Sequence, residues 1–241
     1  MTRNDYMTAL SANLQAVRAR IESACLRAGR DPAEVRLLAV SKTFPADAVV
    51  EAAAEGQRAF GENYVQEGCA KVEQLAALGL EWHFIGPLQS NKSRLVATHF
   101  DWVHSVDRLK IAQRLSEQRA PHHAPLNICI QVNVSGEASK SGVAPGEVIE
   151  LARAVSLLPQ LRLRGLMAIP EPTEDEGLLR SRFALLRTLR DQLNETFALG
   201  LDTLSMGMSA DLDLAIAEGA TVVRIGTAIF GTRTPLTEST P

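Results

Sequence analysis

The chain has 241 residues, 46% of them hydrophobic and 22% charged, with a formal net charge of −3. That length and apolar share suit one full-sized α/β domain or two small ones, and the lack of a basic surplus argues against a nucleic-acid binder. Cys25, Cys69 and Cys129 are far apart with no C-x-x-C spacing, the N-terminus is polar and no apolar run reaches bilayer length, which disfavours disulfides, a zinc site, a signal peptide or a membrane span and makes a reducing, cytoplasmic location the expectation.

The first predicted element is a long helix. Leu10, Leu14, Val17, Ile21 and Cys25 recur at helical spacing with arginines between them, and Gly29 is placed to close it before the Asp31-Pro32 turn. From there short β-rich runs alternate with amphipathic helical runs. Eight strands are predicted, at roughly 35–41, 58–61, 82–86, 101–104, 126–134, 162–169, 202–206 and 221–225. Among the intervening helices, one runs from Pro45 to Ala54, with the proline in the first turn and Gly56 at the end. The next spans Tyr64 to Leu78, with Val65, Cys69, Val72 and Leu75 on one face. The helix after strand six carries a Thr173-x-x-Glu176 capping box and an apolar face of Leu179, Phe183, Leu186 and Leu193. After strand seven, Ser209 is placed to cap a helix that Gly219 follows.

This alternation implies a parallel sheet, and eight units in this length imply a closed (β/α)8 TIM barrel with an extra N-terminal helix, on its floor or its outside. An open doubly wound sheet is the alternative. No linker divides the chain, so residues 1–241 are expected to form a single domain.

Barrels carry their active groups at the C-terminal strand ends. Strand one ends at Lys42, where a lysine held beside a pocket suits covalent chemistry with a carbonyl, although a lysine there also commonly snorkels to solvent. Strand seven ends in Ser205-Met206-Gly207-Met208-Ser209, followed by the N–H groups of Ala210 and Asp211; strand eight ends in Gly226-Thr227. Hydroxyls and free N–H groups there form a phosphate cup at the two strand ends where barrels often bind phosphate. The competing reading is a plain N-cap serine and turn glycine, and Asp211 must point away for the cup to work. Arg224 is embedded in the apolar run of strand eight, and a buried guanidinium needs partners: an ion pair, for instance with Glu62, or a ligand atom. A lysine, a phosphate cup and an arginine between them describe pyridoxal 5′-phosphate (PLP). Its aldehyde would form a Schiff base with Lys42, its phosphate would lie against Ser209, Gly226 and Thr227, and its pyridine nitrogen would face Arg224.

Six segments carry a family resemblance: Ala39–Thr43, Phe60–Tyr64, His83–Lys92, Gly165–Met167, Leu204–Ser209 and Val223–Gly231. In these the chain resembles the pyridoxal-phosphate homeostasis protein family of bacteria and eukaryotes. The resemblance implies a single barrel like the alanine racemase N-terminal domain, a Schiff base on Lys42 and a role in cofactor homeostasis without well-established turnover. Alanine racemases share the positions of Ser209, Arg224 and Gly226, but they add a C-terminal β domain with a catalytic tyrosine. They also place a phosphate-side tyrosine shortly after the lysine, where this chain has Thr43-Phe44-Pro45-Ala46. The chain ends at Pro241, soon after strand eight, so that domain and two-base racemisation are not expected. Arg224 can only donate, which favours an unprotonated pyridine ring and a weak electron sink.

Asn63 is a candidate donor to the ring's phenolic oxygen or a helix cap. Met206 and Met208 are candidates to pack around the ring, His83 reads as core, His122-His123 as a surface turn, and Lys140 as a rim lysine that is either a secondary amine or simply solvated. The predicted cofactor-binding set is Lys42, Asn63, Ser205, Met206, Ser209, Arg224, Gly226 and Thr227, with no metal. The expected function is a PLP carrier, with PLP-dependent apo-enzymes as recipients and the chain a monomer. A PLP-dependent racemase, or a barrel enzyme forming a Schiff base to a phosphorylated substrate, are the alternatives.

Overall fold

The computed structural model describes residues 3–136 and 141–231, with side chains from residue 8 onward. The rim lysine Lys140 lies outside the described residues. These residues form eight parallel strands that close into a barrel in chain order. They are β1 (Arg36–Val40), β2 (Ala59–Glu62), β3 (Glu81–Phe84), β4 (Trp102–Val106), β5 (Leu126–Gln131), β6 (Leu161–Met167), β7 (Thr203–Ser205) and β8 (Val222–Ile225). Closure is made by β1 on β8, where Leu38 stands opposite Arg224. The eight predicted strands are present, and the open-sheet alternative is excluded by that last pairing.

The helices are α1 (Arg3–Arg27), α2 (Ala46–Ala54), α3 (Val65–Gln74), α4 (Ser93–His99), α5 (Leu109–Gln118), α6 (Val148–Ser156), α7 (Glu176–Phe197), α8 (Leu212–Ala217) and α9 (Thr227–Phe230). The apolar stripe of α1 is buried from Leu10 to Cys25, and α1 packs on α8, α9 and α2. The helix therefore lies on the outside of the barrel, across the β8–β1 seam, and not beneath the floor. Gly29, at φ +66°, lets the chain turn after it.

Three local readings are corrected. The N-cap of α7 is Asp175, whose carboxylate accepts from Leu178 N–H at 2.9 Å; Thr173 Oγ1 accepts from Asp175 N–H at 3.1 Å and stands before the N-cap, too early for a capping box. A carboxylate beside the positive helix end outcompetes a hydroxyl two residues upstream. The helix after β2 stops at Gln74, and a short 3-10 turn, Ala76–Leu78, leads to Gly79 at φ +59°. Asp211, not Ser209, stands at the N-cap of α8, and Asp211 N–H donates to Met208 O at 3.2 Å, so it is not a free donor.

The core has two layers. The outer one, between sheet and helices, contains Phe60, Phe84, Phe100, Ile111, Leu115 and Phe183, all without solvent exposure. Alternation along the strands points the other residues inward. There Leu38, Val40, Ala59, Ile85 and Val222 form one cluster and Trp102, Cys129 and Met167 another. The barrel interior also holds buried polar side chains, His83, His104, Ser205 and Arg224. No helix among the described residues is long and apolar enough to cross a membrane.

Candidate functional site

A cavity of about 390 Å³ opens at the C-terminal rim of the barrel. Its polar lining comes from Lys42, Asn63, Ser209, Arg224 and Thr227. Gly226 lies among them, and Val40, Ile85, Ile169 and Met208 form apolar walls. Six of the eight predicted residues thus meet in one space. The other two do not line it. Met206 is fully buried in the outer core, and Ser205 lies behind Arg224, gripping it.

Lys42 follows β1 and is half-buried. The next residue, Thr43, holds φ +67°. A β-branched residue in that region stores roughly 1–3 kcal/mol of strain, which only surrounding contacts can hold. Those contacts are visible. Thr43 N–H donates to Glu67 Oε1 at 2.5 Å, and Ser41 Oγ donates to Glu62 Oε1 at 2.6 Å. Buried Lys71 ties the parts together: its Nζ donates to Ser41 O at 2.8 Å, Glu62 Oε1 at 2.7 Å and Glu67 Oε1 at 2.7 Å. The residues on both sides of Lys42 are thereby pinned. Glu62 therefore pairs with Lys71, not with Arg224 as one sequence reading had it. Burial raises the Glu62 pKa, and Lys71 only partly opposes that.

Arg224 projects inward from β8. Nη1 donates to Ser205 O at 2.6 Å and Ser205 Oγ at 2.8 Å, and Nη2 to Ala168 O at 2.8 Å. These acceptors are neutral, and among the described residues no carboxylate forms an ion pair with it. Burial pushes its pKa down to about 10, with the Asp211 charge opposing, so it stays protonated at neutral pH. A buried guanidinium without a counter-charge, facing a cavity, suits a ligand acceptor.

At the far wall, the N–H groups of Ser209, Ala210, Gly226 and Thr227 donate to no main-chain carbonyl among the described residues. Asp211 Oδ1 accepts from Met208 N–H at 2.6 Å, and Asp211 does not line the cavity, so the predicted need for it to turn aside is met. A Cβ on Gly226 would stand 3.1 Å from Val40 O, crowding the end of β1 just before Lys42. Asn63 contributes a buried Oδ1 with no hydrogen-bond partner. Its main chain is approached so closely by Gly86 that a Cβ there would lie 2.1 Å from Asn63 O.

Sequence reasoning missed the Lys71–Glu67 support. The i,i+4 spacing of these residues was visible, but such pairs are usually solvated. It also missed Ile85 and Ile169 as walls; each lies just beyond a strand end, where a residue has little periodic signal. The arrangement offers an amine, a fixed cation and a cluster of anion donors around one cavity.

The model of the alanine racemase N-terminal domain matches residues 10–234. A pyridoxal phosphate homeostasis protein of Pseudomonas aeruginosa is 64% identical over 227 residues, covering 94% of this chain and 97% of that protein. Its counterpart in Escherichia coli K12 is 56% identical over 230 residues, covering 94% and 98%. The solved structure of PipY from Synechococcus elongatus PCC7942 with PLP bound is 39% identical, with TM-score 0.81, covering 92% of this chain and 100% of that one. With near-complete coverage on both sides and the rim geometry in place, the chain belongs to the pyridoxal phosphate homeostasis protein family, built on the alanine racemase N-terminal domain fold.

Proposed function

We propose that this protein binds PLP in the rim cavity and holds it through Lys42 as a reversible reservoir for intracellular PLP. The observation that carries the reading is the convergence of Lys42, Arg224 and the Ser209/Gly226/Thr227 wall on one cavity. The residues fit the group. The hydroxyls and open N–H groups of the wall suit a phosphate dianion. Arg224 offers a donor to the pyridine nitrogen. The unpartnered Asn63 side chain, with its amide turned so that Nδ2 faces inward, offers a donor to the phenolic oxygen. Lys42 would hold the aldehyde through its amine, in a bond that forms with loss of water and would reverse by hydrolysis or exchange with another amine.

Bound PLP supplies an electron sink for carbanions. A permanently cationic Arg224 at the ring nitrogen weakens that sink, because it can donate a proton bond but cannot accept one. Among the described cavity residues there is no carboxylate, imidazole or phenol to serve beside Lys42 as a second acid–base group. Both points support holding over turnover; a PLP-dependent racemase is the alternative. The reading further proposes one domain, a monomer in the cytoplasm, and PLP-dependent apo-enzymes as recipients.

Borohydride reduction of the PLP-loaded protein followed by peptide mass spectrometry tests the tether. A phosphopyridoxyl adduct on Lys42, lost in Lys42→Ala, is expected. Loaded protein with Lys42 unmodified overturns it. Efficient Cα–H exchange of amino acids in deuterated water would favour the racemase.

A further inference from the structure

A line of hydrogen bonds runs through the barrel from Arg224 to the opposite end. Ser205 Oγ, which accepts from Arg224 Nη1, lies 2.8 Å from His104 Nδ1. His104 Nε2 lies 2.9 Å from His83 Nδ1, and His83 Nε2 lies 2.6 Å from Glu81 Oε1. Glu81 Oε1 also accepts from Arg36 Nη2 at 2.5 Å, at the start of β1, where Arg36 lines a second cavity of about 530 Å³ on the barrel floor. His83, His104 and Ser205 have at most 1% exposure, so no bulk water can substitute for a lost partner. His83 stacks on Trp102 with ring centroids 5.2 Å apart and planes 10° apart, which fixes where its two nitrogens point.

The two ends determine the direction of every bond between them. Burial pushes the Glu81 carboxyl up, but the hydrogen bond from His83 and the charge and hydrogen bond of Arg36 outweigh it and hold it below the ordinary carboxylate range, so Glu81 is ionised and only accepts. His83 must then carry its proton on Nε2. Burial holds both imidazoles below the ordinary histidine range and therefore neutral. With one proton each, His83 Nδ1 accepts from His104 Nε2–H, and His104 Nδ1 accepts from Ser205 O–H. Ser205 Oγ keeps its lone pairs for Arg224 Nη1–H. Every donor points from the rim toward the floor.

We propose that Glu81, His83 and His104 are positioning residues for Arg224: the carboxylate at the barrel floor orients the whole chain so that Ser205 presents an electron-rich oxygen to the guanidinium facing the cofactor ring. The inference deepens the PLP reading and rests on it for its consequence at the cavity. Removing the acceptor at Glu81 leaves His83 Nε2–H with no partner. Both imidazoles then gain by shifting to the Nδ1–H tautomer, and His104 becomes a donor to Ser205 Oγ. That oxygen would face two donors and grip Arg224 less well. Gln at position 81 keeps a carbonyl acceptor and should restore the direction.

Two-bond 15N–1H NMR of the full chain without PLP reads the tautomers directly. Wild type and Glu81→Gln are expected to show neutral Nε2–H forms at His83 and His104, and Glu81→Leu the Nδ1–H form at both. Arg36→Met, which removes the ion pair but keeps the acceptor, should leave the tautomers unchanged. By equilibrium dialysis, Glu81→Leu should bind PLP about three- to tenfold more weakly, the range of one neutral hydrogen bond, with Glu81→Gln and Arg36→Met near wild type. An Nδ1–H tautomer at His104 in wild type overturns the inference, even if Glu81→Leu does not fold. So does folded Glu81→Leu that keeps both Nε2–H tautomers or wild-type affinity. Failure of wild type to bind PLP would instead overturn the proposed function, and the tautomer result would stand apart from it.

Discussion

Replacing Lys71 by Met tests whether the buried cation holds the strand end that presents Lys42. Its ammonium satisfies Ser41 O, Glu62 Oε1 and Glu67 Oε1 at 2.7–2.8 Å, with the Lys71 side chain 7% exposed and Glu62 fully buried. Glu62 Oε2 already has no hydrogen-bond partner, so the variant leaves the buried carboxylate with the Ser41 hydroxyl alone. Breaking one side of a buried ion pair costs about 3–5 kcal/mol. For a chain of this length that is a fall in Tm of roughly 6–10 °C. Lys71→Met with Glu62→Gln removes both charges and should return to within about 1–2 kcal/mol of wild type. The deficit also has a pH signature. Burial already raises the Glu62 pKa above its ordinary 4.5, and loss of Lys71 raises it further. The folded variant then keeps a proton that the unfolded chain has released, so its stability is greatest below about 4.5 and is lost as pH rises through the folded pKa. Urea denaturation of the three proteins between pH 5 and 8 measures this. The reasoning is refuted if Lys71→Met lies within about 1 kcal/mol of wild type at pH 8, or if the double variant is no better than the single.

Acid should destabilise the barrel through His104. Burial, aided by the Arg224 charge, holds its pKa well below 6.5, so its contribution is complete above 6.5 and is lost as pH falls, at a limiting slope of about 1.4 kcal/mol per pH unit. His104→Asn should flatten the urea midpoint-versus-pH profile between pH 6.5 and 5; an unchanged slope would assign the acid sensitivity elsewhere. Gly86→Ala should push Asn63 away from the cavity, because the new Cβ would overlap Asn63 O at 2.1 Å. Dialysis should show PLP affinity falling about tenfold, the loss of one charge-assisted hydrogen bond, while wild-type affinity would remove Asn63 from the site.

Much of the candidate site was legible because barrel rims follow from strand order. Once β1, β7 and β8 were placed, Lys42, Ser209, Gly226 and Thr227 had to stand at one end of neighbouring strands. Arg224 was legible as a charge inside an apolar run. Ser205 and Met206 were harder: they lie in the same segment as Ser209, and local spacing does not say which of its side chains reach the cavity. The capping of α7 and α8 was read from motifs, and the competing acceptors Asp175 and Asp211 won by direct hydrogen-bond geometry.

Periodicity and strand-end chemistry alone pointed to the eight strands, a parallel sheet and the principal rim residues, while the β1–β8 pairing decided that the sheet closes. The first three are properties of residue order, since alternation between a period of two and one of 3.6 needs no knowledge of neighbours. Tertiary structure alone decided the partners of the buried charges. Glu62 met Lys71 rather than Arg224, α1 crossed the β8–β1 seam, and residues as distant as Glu81 and Arg224 became the two ends of one hydrogen-bonded chain. Hydrogen bonds and ion pairs act over about 3 Å, and only closure of the barrel brings such remote side chains within that range.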